Sequence, residues 1–309
     1  MKIRALVAPI AVAIAVSALA GCSAGPTGGV TFATDAPGTA NVRIVASTDV
    51  WGSIAAAVGG TDVAVTSIIN SPAQDPHEYE ADARDQLAVS KAQLIVENGG
   101  GYDDFMDRMT SAVGTGATIL NAADLSGYDQ HPASGGFNEH LWYDFPTVGK
   151  VADAIANALA RLDPGRAADY AANAAAFDTA LGRLEATAAQ LKAQYAGTPA
   201  AITESVPLYL FGAIGLVNKT PAEFSAAVEQ GSGVAPSVLQ QTLALFDQRK
   251  VKLLAYNEQT TGPETQAVLA AASRDGIPIV AVRETLPSGK DYLAWMTGDL
   301  AAIGTALGQ

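Results

Sequence analysis

Val63-Ala-Val-Thr-Ser-Ile-Ile-Asn70 runs directly into Ser71-Pro-Ala-Gln-Asp-Pro-His-Glu-Tyr-Glu80. The first eight residues are largely apolar and β-branched, as a strand in a sheet requires. Two prolines then break the chain into a loop, and a loop at a strand end aims its side chains from a fixed point. His77 lies in that loop among Asp75, Glu78 and Glu80. An imidazole surrounded by carboxylates suits a divalent cation of borderline hardness.

Strands and helices alternate on both sides of this junction. Residues 41–47 read as a strand and 48–58 as a helix stopped by Gly59-Gly60. Beyond the loop, 82–91 is helical and 92–98 is an apolar strand running into Gly99-Gly100-Gly101. Residues 102–113 are helical and 118–121 form a short strand. Such alternation predicts a mostly parallel sheet covered on both faces. Ligands of such sheets bind beyond the carboxyl ends of the strands, where His77 falls.

Residues 124–139 read as a polar loop carrying His131, followed by Asn138-Glu139-His140-Leu141-Trp142-Tyr143-Asp144 and a helix over 145–162. Asp163 and Pro164 are a cap and a first-turn proline for another helix, which runs to about Tyr195. Tyr170, Ala174, Phe177, Leu181, Leu184 and Leu191 give that helix one apolar face. About 30 residues at 1.5 Å rise make a rod of roughly 45 Å, long enough to join two compact lobes. After Gly197 the pattern restarts, with strands at 200–203, 252–257 and 277–283 and helices at 236–248, 263–274 and 292–307. Residues 207–214 are a helix or an extended packing segment. The expected fold class is α/β, two β/α lobes with mostly parallel sheets. The lobes comprise residues 41–162 and 197–309, joined by a long rigid helix over 163–196.

Composition narrows the function. Of the 309 residues, 49% are hydrophobic and 16% charged, which indicates a folded chain with a sizeable core. A net charge of −13 provides no basic patch for nucleic acid and is compatible with cation capture. Residues 1–21 read as a secretory signal, with Lys2 and Arg4 ahead of an apolar stretch too short for a membrane span. The signal ends in Leu19-Ala20-Gly21-Cys22, which resembles the bacterial lipobox and implies acylation of Cys22. No intrachain disulfide can form, because Cys22 is the single cysteine. Residues 22–40, rich in Gly, Pro, Ser and Thr, read as a lipid-anchored flexible tether spanning roughly 25 Å. The protein is therefore expected outside the cytoplasm, held at the cell membrane.

Three histidines are present: His77, His131 and His140. His77 and His140 lie beside carboxylates at strand ends or loop junctions. Glu204 and Glu284 follow directly on apolar strands of the second half. Taken singly, each glutamate also fits an exposed loop residue or a salt-bridge partner of Arg283 or Lys290. Together the four suggest a closed site in which two imidazoles and two carboxylates balance a dication at about 2.0–2.2 Å. Asp75, Glu78, Glu139 and Asp144 are candidates for carboxylates that orient the rings. Oxygen-rich sets move preference towards manganese or iron(II), whereas raw affinity favours zinc. Binding is expected to weaken below about pH 6 as imidazoles protonate.

At these residues the chain resembles the metal-binding lipoproteins of bacterial ABC importers for zinc and manganese, the ZnuA/TroA-like class (cluster A-I solute-binding proteins). Asp75-Pro76-His77-Glu78-Tyr79-Glu80 matches that family's first-ligand motif. His140-Leu141-Trp142-Tyr143-Asp144 resembles the second, with Phe145 where proline is common. Thr203-Glu204 resembles the third, often histidine in zinc importers and glutamate in manganese ones. Glu284 falls where the family usually has aspartate. The resemblance covers nearly all of 41–307. It implies a metal held between two lobes with little hinge motion, a monomer, and a permease and ATPase as partners. Zinc members often carry a histidine-rich loop before the second ligand; here that loop holds only His131, which reads as a solvated residue.

Two other readings compete. A metallohydrolase needs an open coordination position and a general base, and the sequence has no His-Glu-x-x-His. A surface adhesin or structural lipoprotein with an incidental metal is the third reading, and stoichiometric metal in protein purified without added ions would argue against it.

Overall fold

The computed structural model describes residues 41–71, 74, 79–133 and 136–308. His77, Asp75, Glu78, the leader, Cys22 and the tether lie outside the described residues.

The first half contains β1 (Val42–Thr48), α1 (Asp49–Gly59), β2 (Val63–Ile69), α2 (Ala83–Lys91), β3 (Leu94–Glu97), α3 (Asp104–Val113), β4 (Thr118–Asn121), α4 (Ala122–Ser126) and α5 (Phe145–Leu162). Its four strands are all parallel, in the order β2-β1-β3-β4. The long helix α6 (Ala167–Tyr195) follows. The second half contains β5 (Pro199–Ile202), α7 (Leu208–Ile214), β6 (Val217–Asn218), α8 (Ala222–Glu229), α9 (Pro236–Asp247), β7 (Leu254–Asn257), α10 (Pro263–Arg274), β8 (Ile279–Val282) and α11 (Tyr292–Leu307). Its sheet, β6-β5-β7-β8, is again all parallel and repeats the first sheet's order. In both, the crossover direction reverses beside the first strand. That reversal opens a crevice at the carboxyl ends.

The inner strands are buried on both faces: every residue of β3 and of β7 is buried. Continuous apolar runs such as Leu94-Ile95-Val96 therefore replace alternation. After β3 the chain must turn sharply. Gly99, Gly100 and Gly101 all adopt positive φ, and a side chain at Gly99 would collide with Asn121. The turn returns Asp103, whose carboxylate accepts from the N–H groups of Asn98 and Gly99, both at 2.7 Å.

Helix α6 buries Tyr170, Ala174, Phe177, Leu181, Leu184 and Ala188 along one face. These side chains belong to a single apolar core that includes Trp51, Ile54 and Val151 from the first half and Leu210, Trp295 and Ile303 from the second. At 1.5 Å per residue its 29 residues span roughly 44 Å. A rod sunk into the core of both lobes resists large hinge motion.

Three local expectations are corrected. Asp163 does not cap α6; its carboxylate accepts from Asn41 Nδ2 at 2.8 Å, and a 3-10 turn over Pro164–Arg166 precedes the helix. The loop expected over 124–139 begins inside α4, capped by Asn121. The second half also contains α8, which propensity did not reveal because it is only eight residues long and rich in small residues.

Candidate metal centre

Three of the four expected ligands are present among the described residues, and they converge. Glu204 stands two residues beyond β5 and Glu284 two beyond β8, at the carboxyl ends of the two strands that flank β7. His140 comes from the loop before α5, in the other lobe. All three are buried, with relative exposures of 0% for His140 and 2% for each glutamate. His140 Nε2 lies 3.9 Å from Glu284 Oε2.

Asn257, at the carboxyl end of β7 and fully buried, joins the two carboxylates. Its Nδ2 donates to Glu204 Oε2 at 2.5 Å and to Glu284 Oε1 at 2.8 Å. The amide's orientation is fixed because its Oδ1 accepts from Gln259 N at 3.1 Å. Gln259 Oε1 in turn accepts from the backbone N–H groups of Glu284 and Thr285. One buried amide and one glutamine thus set the separation of the two acids. The pairing with Arg283 or Lys290 does not occur at Glu284; Arg283 instead forms an ion pair with Glu258.

The imidazole is held with equal care. Asn138 Nδ2 donates to the Ser205 carbonyl at 3.3 Å, which turns its Oδ1 towards His140. That oxygen lies 2.7 Å from His140 Nδ1 and also accepts from His140 N. A proton on Nδ1 leaves the Nε2 lone pair facing the carboxylates, the tautomer that binds a metal. Trp142 and Tyr102 pack edge-on against the ring, with centroids at 5.2 and 6.1 Å. Asn98, at the end of β3, donates to the Glu139 carbonyl at 2.9 Å and ties the ring's loop to the first sheet.

Of the carboxylates expected to orient the rings, the two among the described residues, Asp144 and Glu139, make other contacts. Asp144 is the N-cap of α5: it accepts from Thr147 N at 3.2 Å and Thr147 Oγ1 at 2.5 Å, and Tyr128 donates to it. The carboxylate of Glu139 lies beside Glu229 of α8, not on the Nδ1 proton that Asn138 receives. Burial, together with the Glu229 charge, pushes Glu139 up to about 8. His131 is exposed, as expected. Asn138 and Asn257 were missed by sequence reasoning. The position of Asn257 at the end of an apolar strand, between the strands that lead to Glu204 and Glu284, is the one signal that could have found it.

Hydrogen bonds across the lobe junction hold this arrangement. Tyr143 Oη donates to Asp299 Oδ2 at 3.0 Å and accepts from Arg283 N at 3.3 Å, next to Glu284. Tyr292 Oη donates to the Trp142 carbonyl at 2.7 Å. Beside the cluster, a cavity of about 980 Å³ is lined by Asn138, Glu139, Ser205, Ser225, Glu229 and Gln259, among others.

A family described as the periplasmic component A of zinc-uptake complexes (ZnuA) matches residues 44–306. The manganese-binding lipoprotein MntA of Halalkalibacterium halodurans is 30% identical over 174 residues, 54% of this chain and 53% of that protein. The iron-binding protein YfeA of Yersinia pestis is 26% identical over 146 residues, 47% of each chain. The aligned part thus spans about half the length of these relatives. Among solved structures, the periplasmic zinc-binding protein TroA of Treponema pallidum superposes with a TM-score of 0.73 at 20% identity, covering 86% of this chain and 99% of that one. At that identity the likeness bears on the fold.

Proposed function

Because the chain belongs to the ZnuA family of periplasmic zinc-uptake components, we propose that it captures one divalent transition metal outside the cytoplasm. It then delivers the metal to an ABC permease and its ATPase. The cargo is zinc or manganese, with iron(II) a further candidate. The observation that carries this reading is the meeting of His140 from one lobe with Glu204 and Glu284 from the other, all three buried and the two glutamates bridged by Asn257.

Two carboxylates brought side by side away from water repel each other unless positive charge or donors compensate. A dication does so fully, and its affinity is set by how well the donors are aligned beforehand. His140 would supply Nε2 and the glutamates one or two oxygens each. His77, which follows β2 in the sequence, completes the set in this reading. Such a site is closed on all sides by protein ligands, which suits holding a metal and not activating water on it. The protein is accordingly read as a carrier and not an enzyme. It acts as a monomer anchored through an acylated Cys22, and residues 22–40 are its tether.

Release requires His140 to separate from Glu204 and Glu284, so that ligands from one lobe leave together. The buried α6 and the Tyr143–Asp299 and Tyr292–Trp142 bonds keep such a movement small. The donor set does not by itself choose the metal. Oxygen ligands admit manganese and iron(II), whereas the intrinsic order of affinity puts zinc first. The names of the relatives divide in the same way, manganese and iron for two proteins and zinc for the third.

The test is the metal content of protein isolated from its own host, followed by calorimetric titration with zinc, manganese and iron(II). One tightly bound equivalent, lost or weakened tenfold or more in His140→Ala, supports capture at this site. Protein that carries no stoichiometric metal would overturn it, as would unchanged affinity in the variant. Metal-dependent ester or peptide hydrolysis would favour the hydrolase reading instead.

A further inference from the structure

The imidazole of His140 has two sides, and only one faces the buried carboxylates. On the Nδ1 side lies the 980 Å³ cavity, where Glu139 and Glu229 stand together. One carboxylate oxygen of each, with a ring nitrogen of His140, all lie within 4.8 Å of one another. Ser205 Oγ donates to both oxygens of Glu229, at 3.2 and 3.0 Å, and lies 3.3 Å from His140 Nδ1. Ser225 lies one turn before Glu229 on the same face of α8 and lines the same cavity. Its exposure is 6%, and its Oγ has no hydrogen-bond partner among the described residues. A buried hydroxyl left in this state points to a missing polar ligand. Glu229 is also the last residue of α8, where the helix dipole adds further negative potential.

We propose that Glu139 and Glu229, with the hydroxyls of Ser205 and Ser225 nearby, form a second, outward-facing site for a hard divalent cation. The charged donors are carboxylates and the neutral ones are oxygens, the set that Mn²⁺ and Ca²⁺ prefer. The cavity has room for the waters that complete such a coordination sphere. A cation held here is separated from the buried cluster by the thickness of one imidazole ring, so the site would act as a staging post for cargo. That staging role rests on the capture reading; the binding itself does not.

The test fills the buried site first. Zinc outranks manganese at a site containing imidazole, so one equivalent of Zn²⁺ is added, and Mn²⁺ is then titrated against the zinc-loaded protein with free Mn²⁺ followed by its paramagnetic resonance. One further equivalent is expected in the wild type, weakened tenfold or more in Glu229→Gln and severalfold in Ser225→Ala, with the zinc equivalent unchanged in both variants. Equal Mn²⁺ binding in wild type and Glu229→Gln would overturn the site. Zinc-loaded wild type that takes up no Mn²⁺ would also overturn it, leaving the two acids sharing a proton. If the protein takes up no zinc but binds Mn²⁺ through Glu229, the outer site stands and the capture reading fails.

Discussion

Replacing Asn257 with alanine removes the side chain that bridges the Glu204 and Glu284 carboxylates. Its Nδ2 makes short hydrogen bonds to both carboxylates, and neither acid is more than 2% exposed. A hydrogen bond to a charged group contributes about 1.5–3 kcal/mol. Losing two gives an upper limit of about 6 kcal/mol. Water entering the vacated space returns part of this, so about 3 kcal/mol of metal-free stability is the expected loss. The effect on binding comes from orientation. Without Asn257 the carboxylates repel and splay, and the metal must draw them back. Groups that orient metal ligands typically contribute 10–100-fold in affinity, which at 1.4 kcal/mol per tenfold is about 1.4–2.8 kcal/mol. Chelator-competition titration gives the affinity, and urea unfolding of the metal-free protein gives the stability. An Asn257→Ala protein that folds normally and binds metal within twofold of the wild type would refute the claim that this amide pre-organises the site.

Other perturbations address neighbouring parts of the account. Asn138→Ala frees the His140 tautomer and should lower metal affinity roughly tenfold by calorimetry, with little change in melting temperature because Asn138 is only half-buried. Burial raises the Asp299 carboxyl from 3.8 to about 7, only partly offset by Tyr143. The folded state thus holds this proton more tightly than the unfolded chain, so stability from this group is fully present below pH 3.8 and is lost as pH rises through about 7. Asp299→Asn keeps an acceptor for Tyr143 and should raise the melting temperature at pH 8 but not at pH 3.5; an equal change at both would contradict the assignment. Tyr292→Phe removes the bond to the Trp142 carbonyl and should cost about 1 kcal/mol in urea unfolding, with metal affinity reduced severalfold at most.

Much of this architecture was legible because it is written in local periodicity. Apolar runs such as Leu94–Glu97 and Leu254–Asn257 announced buried parallel strands, and the spacing of Tyr170, Ala174, Phe177, Leu181 and Leu184 announced the buried face of α6. Glu204 and Glu284 stood out because ionisable groups directly follow apolar strands, and His140 because it lies beside carboxylates at a loop junction. What stayed hidden depends on long-range geometry. Asn138 and Asn257 are ordinary polar residues until the fold presents their amides to a ring and to two acids. Asp144 resembled a ring-orienting acid because it lies near His140 in the chain, yet the start of α5 uses it as a cap. Asp163 preceded a proline in the pattern of a helix start, but Asn41, 122 positions away, uses its carboxylate instead. Glu229 carried no signal at all: it reaches Glu139 only because α8 packs over the crevice.

The central claim is that the two lobes close on a single cation through His140 on one side and Glu204 and Glu284 on the other. Crystals grown with stoichiometric zinc, and diffraction recorded on either side of the zinc absorption edge, test it directly. The account predicts one strong anomalous peak at the lobe junction, about 2.0–2.2 Å from His140 Nε2 and from oxygens of both glutamates. A fully occupied peak elsewhere, or clear density for the three side chains with no metal between them, would contradict it.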